Sequence, residues 1–135
     1  MLRRLLLLVM LLAASPAVAM PDTAALRAMV QARITEAAGA GLLEIESFRR
    51  MGQAPDPAGG ARIAYFAARL RLTRDHEFGA SDGRNLQALA AALGAAPRAI
   101  LGAHRDGNRA GDVIRVNGAL RLREEAGHWV PLASA

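Results

Sequence analysis

Between Arg62 and Arg74 the chain alternates steadily from Tyr65 onward. Phe66, Ala68, Leu70 and Leu72 fall on one side, and Tyr65, Ala67, Arg69, Arg71 and Thr73 on the other. A period of two puts these sets on opposite faces of a strand, one apolar and one basic. Such a strand buries one face and shows the other to water, the habit of antiparallel sheets covered on one side. Gly111 to Arg123 repeats the pattern. Ile114, Val116, Leu120 and Leu122 face one way, and Arg115, Asn117, Arg121 and Arg123 the other. Gly118, inside that strand, predicts a sharp bend or a close backbone approach.

The flanking segments supply the covering layer. Asp22-Thr23 offers an N-cap, and Leu26, Met29, Val30, Ile34 and Ala37 follow at helical spacing, which predicts an amphipathic helix over 22–38 stopped by Gly39 and Gly41. Residues 42–51 read as a strand, with Leu43 and Ile45 opposite Glu44 and Glu46. Phe48 then falls on the charged face, which predicts a bulge near Ser47. Two prolines and two glycines between Gln53 and Gly60 mark a loop. Ser81-Asp82 is expected to cap a short helix through Leu86, Leu89, Ala90 and Leu93, ended by Gly94. Residues 97–105 fit either a loop or a strand opening at Ala99-Ile100-Leu101, with a turn at Asp106-Gly107-Asn108. Glu124 to Gly127 reads as a hairpin loop, and His128 to Leu132 as a returning strand that Pro131 places at an edge or ends.

The expected fold is therefore α+β. An N-terminal helix packs on a curved antiparallel sheet whose apolar wall includes Phe66, Leu70, Ile114, Val116 and Leu122, and a second short helix accompanies it. With its leading amphipathic helix and closing hairpin, Gly111-Asp112-Val113-Ile114-Arg115-Val116-Asn117-Gly118 and then Gly127-His128-Trp129, the chain resembles the cystatin-like and NTF2-like cone folds of small exported bacterial domains. That resemblance implies a helix cradled by a curved sheet. It carries no catalytic motif, and such a fold serves enzymes, binders and inhibitors alike.

The first 19 residues predict an address. Arg3-Arg4, an apolar run from Leu5 to Ala14, and Pro16 before Ala17-Val18-Ala19 form the three-part layout of a signal peptide with a cut expected after Ala19. A spanning helix needs about 20 apolar residues, so no membrane span is expected once the leader is removed. The remaining residues, 20–135, make one domain's length. The chain has no cysteine, so neither a disulfide nor a lipoprotein anchor at the cut is available, and the fold must rest on core burial. The alanine-rich, lysine-free composition suits a high-GC bacterial genome, and the expected destination is the periplasm or the medium.

All 17 basic residues are arginine. Two precede the expected cut, leaving 15 against 12 acidic residues, a net charge of +3. The chain has no basic run and no aromatic platform, which argues against nucleic acid. Arg69 and Arg71 on one strand, with Arg115 and Arg121 on another, would form a cationic sheet face if the strands are neighbours. Such a face can grip phosphate or carboxylate bidentately. The competing account pairs these arginines across strands with Glu44, Glu46, Glu124 and Glu125.

Asp75-His76-Glu77 is the densest ionisable cluster. As a strand end it would point Asp75 and Glu77 one way and His76 the other, so a metal site would need His104 or His128 as well, and none is expected. An acid–base reaction would use His76 or His104 as proton carrier, oriented by Asp75, Asp106 or Asp112. No nucleophile accompanies them: cysteine is absent, and Ser47, Ser81 and Ser134 lie outside any Gly-x-Ser-x-Gly elbow. No cofactor motif is present. The leading expectation is a non-catalytic domain that binds a protein partner or an anionic envelope ligand through its sheet face or within its cone. The rivals are an enzyme with a pocket between helix and sheet, and an assembly subunit that pairs through its last edge strand.

Overall fold

The computed structural model describes residues 19–79, 85–104 and 106–132. The expected leader, apart from Ala19, lies outside these residues, as do the expected cap Ser81-Asp82 and Ser134. Helix α1 spans Thr23–Ala38. Asp22 caps it by accepting from the Ala25 N–H at 2.8 Å, and it stops at Gly39, whose N–H donates to Thr35. Its buried stripe is Leu26, Val30, Ile34 and Ala38; Ala38 takes the inward place expected for Ala37, because the stripe follows a four-residue step.

Five strands form one antiparallel sheet: β1 Leu43–Pro55, β2 Ala61–Leu72, β3 Ile100–Leu101, β4 Val113–Glu125 and β5 His128–Pro131. The order is β1-β2-β4, with β3 and β5 sharing the far edge of β4 at its start and its end. Strand β1 runs to Pro55, so the loop expected from Gln53 narrows to residues 56–60. Between the two stretches of edge pairing, the Ala119 N–H donates to the Leu93 carbonyl at 2.9 Å. Leu93 caps the C-terminus of helix α2, Leu86–Ala92, whose N-cap is Asn85 rather than Ser or Asp. A 3-10 turn, Pro97–Ala99, leads from there into β3.

One face of the sheet carries the core. Phe66, Leu70 and Leu72 of β2 and Ile114, Val116, Leu120 and Leu122 of β4 join the α1 stripe, Leu89 and Leu93 in a single buried cluster. Each such side chain contributes roughly 1.5–3 kcal/mol on burial. Gly118 is the close approach foreseen in β4: a Cβ there would lie 2.4 Å from the Leu93 oxygen and 2.5 Å from Phe66 Cζ. Helix α1 crosses this face. Gln31 donates to the Leu43 carbonyl and accepts from the Ile45 N–H, Arg27 donates to the Ile45 carbonyl, and Arg33 donates to the carbonyl of Leu132 just past β5. No helix among the described residues is long and apolar enough to cross a membrane.

Candidate functional site

Among the described residues no helix or second sheet lies over the other face of the sheet, and its composition follows from a change of parity in β1. The β1–β2 register shifts between Ile45 and Ser47 and again between Arg50 and Gly52. Each extra residue reverses which side chains point inward. The first bulge turns Phe48 to the core, where its ring stacks on Phe66 with centroids 5.4 Å apart. It also turns Ser47 and Arg49 to the open face, opposite Arg69 and Ala67 of β2. The bulge was legible near Ser47. Its consequence depends on pairing across strands: once parity flips, Arg49 joins the arginines of β2.

Across the open face the register builds two adjacent rows. Ser47, Arg69, Arg115 and Leu101 form one; Arg49, Ala67 and Asn117 form the next. Arg69 and Arg115 stand directly opposite each other. Like charges at such positions repel. Among the described residues, no carboxylate lies within ion-pairing distance of Arg49, Arg69 or Arg115. The three border a depression of about 440 Å³ floored by Ala67 and walled by Leu101 and Asn117.

The other two expected ligand arginines are already partnered. Arg71 pairs with Glu44 at 3.2 Å, both ends about half exposed, a contact contributing about 0–1 kcal/mol. Arg121 Nε donates to Asp56 Oδ2 at 2.7 Å. Asp56 heads the β1–β2 turn, where its Oδ1 also accepts from the Ala58 N–H. That backbone bond and the Arg121 side chain hold its carboxyl below the ordinary aspartate range. Pairing therefore accounts for Arg71 and Arg121, while Arg69 and Arg115 have no carboxylate partner among the described residues. Glu44 is the expected partner and Asp56 an unexpected one, because it lies 65 residues away from Arg121 in the chain.

The histidine cluster folds into a loop corner before β4. His76 and Asn108 form a two-way backbone bridge, at 2.9 and 2.8 Å, and the His76 ring meets Phe78 edge-on at 4.8 Å. Asn108, 3% exposed, organises the corner: its side chain accepts from the His104 N–H and donates to the Gly102 carbonyl and to Asp112. Asp75 accepts from the Ala110 N–H, and Asp112 from the Arg109 N–H. Two of the three carboxylates expected to orient an imidazole, Asp75 and Asp112, are thus engaged with backbone. Asn108 had no sequence signal beyond its place in the turn at 106–108. His128 pairs with Glu125 at the opposite end of β4, a strand length from His76. Among the described residues no group of three or more acidic or histidine side chains is placed to hold a metal ion.

Trp129 packs against the core cluster, and its Nε1 donates to the carbonyl of Ala19 at 2.8 Å. Comparison with family models, curated proteins and solved structures gives no match to this chain.

Proposed function

We propose that this chain is an exported, non-catalytic binding module that captures an anionic ligand on the open face of its sheet. The observation that carries the proposal is the opposed pair Arg69 and Arg115, with Arg49 in the adjacent row, all three without a carboxylate partner among the described residues. An oxyanion seated between them would exchange repulsion for charge-assisted bonds, and guanidinium groups present two parallel N–H donors to phosphate or carboxylate. The leader-like residues 1–19 support export, and the helix laid across one sheet face supports the cystatin-like or NTF2-like resemblance.

A titration with inorganic phosphate followed by NMR tests the site. The side-chain N–H resonances of Arg49, Arg69 and Arg115 should shift together, while those of Arg71 and Arg121 stay in place. Arg69→Ser combined with Arg115→Ser should abolish the shift and leave the melting temperature unchanged or slightly raised, since one repulsion is removed. Uniform small shifts at every arginine would sink the proposal.

A further inference from the structure

The arginine-lined depression continues along the sheet. A second depression of about 330 Å³ shares Asn117 with it and is bordered by Met51, Tyr65, Ala95 and Ala119. A third, of about 390 Å³, shares Tyr65, Ala95 and Ala119 with the second and reaches Ile63 and Leu132. Together they follow β2 from Arg69 to Ile63, six residue steps or about 20 Å of strand. The floor stays low because Ala67 and Ala119 hold the central positions. One bank is the second bulge of β1, which pushes Met51 outward; the other is the segment from Ala95 to Leu101.

The exposed apolar surface of the described residues concentrates here. The exposed large hydrophobics among the described residues are Met51, Tyr65, Leu101 and Val130. The first three border the trough, and Val130 lies on the same face opposite Arg123. A run of exposed apolar side chains on one face marks a binding surface rather than a random scatter. The polarity along the trough is graded: three guanidinium groups without a carboxylate partner among the described residues stand at one end, the lining beyond is mostly aliphatic and aromatic, and Arg121, neutralised by Asp56, borders the far end.

From this we infer that the anion captured at Arg49, Arg69 and Arg115 is the head group of a single-chain amphiphile, a long-chain carboxylate whose tail lies along Ala67, Tyr65, Ala119 and Ile63. The inference rests on the anion-binding proposal and specifies its ligand class. Charge complementarity fixes the orientation: the carboxylate accepts from the arginines, and the tail covers Met51 and Tyr65. A trough of about 20 Å accommodates a chain of roughly 12–16 carbons.

Calorimetric and NMR titrations of the protein as isolated from expressing cells, using acetate, octanoate, decanoate and dodecanoate below their micelle concentrations, with dodecanol and inorganic phosphate as controls, test this. Affinity should rise roughly two- to fourfold for each added methylene, fourfold corresponding to full burial of the group and twofold to half burial in an open trough. Dodecanol, lacking the charge, should bind at least tenfold more weakly than dodecanoate. Ala119→Leu, which raises the floor, should erase the length dependence and keep the phosphate shifts at Arg69 and Arg115. Tyr65→Ser, at an exposed position, provides the same readout should the leucine variant not fold.

Equal affinity for acetate and dodecanoate would overturn the amphiphile and leave the anion site standing. Failure of phosphate and of every carboxylate to bind would remove both. Binding to anionic vesicles without capture of monomeric dodecanoate, or self-association that covers the trough, would also overturn the inference.

Discussion

At the residue scale, Ala126 holds a left-handed backbone, φ 50°, in the two-residue turn between β4 and β5. Tight hairpins of this kind need positive φ at both central positions, and asparagine or glycine adopts it with less strain than alanine. Ala126→Asn should therefore stabilise the protein by about 1 kcal/mol in urea denaturation, with the open sheet face unchanged. Glu124-Glu125-Ala126-Gly127 announced a loop from sequence, yet the strand runs through Glu125 and only two residues turn. Charged residues at a strand end look like loop residues when their cross-strand partners are unknown. Asp56 is a second residue whose role local sequence hides. Its depressed pKa means that its contribution is complete above the ordinary aspartate value and fades as pH falls through the lower, folded-state value. Wild type should thus exceed Asp56→Asn in urea midpoint at pH 7, and the gap should close on acidification below about pH 4. A constant gap down to pH 2 would show that the carboxylate charge is not what matters.

Among elements, the chain just past the C-terminus of α2 comes very close to β4. Gly118 admits the Leu93 carbonyl and the edge of Phe66 together, and that approach lets the Ala119 N–H find an acceptor where β3 and β5 leave the edge of β4 open. Gly118→Ala should cost about 1–3 kcal/mol and loosen α2 before the rest, seen as faster amide exchange at Ala119. The strands were legible because a period of two and a turn residue are local signals. So was the bulge near Ser47, since Phe48 broke the alternation. Helix α2 was legible as apolar spacing, while its cap was not: Asn85 offers the same chemistry as Ser81 or Asp82, and choosing among them depends on where Phe78 and Leu86 anchor the segment. Of the site, Arg69 and Arg115 could be read from the alternation. Arg49 required following parity across the bulge, and the neutralisation of Arg121 required a turn 65 residues distant.

For the whole molecule, division of labour between the two sheet faces is the governing feature. One face is filled by α1, α2 and the core cluster, so the fold survives without disulfides; the other is left to arginines and exposed apolar side chains. Arg121 links the β1–β2 turn to β4, and Arg33 links α1 to the chain beyond β5, so helix and sheet edges are held by bonds that span the sequence. The side-chain amide of Gln31 has a further effect on the molecule as a particle in solution. By filling the hydrogen-bonding places that a neighbouring strand would take on Leu43 and Ile45, it acts as a stopper against edge-to-edge growth of the sheet into fibres. Gln31→Ala should leave the monomer folded but shorten the lag before thioflavin-positive assemblies form at high concentration. An unaltered lag would mean that the bulged remainder of β1 is barrier enough.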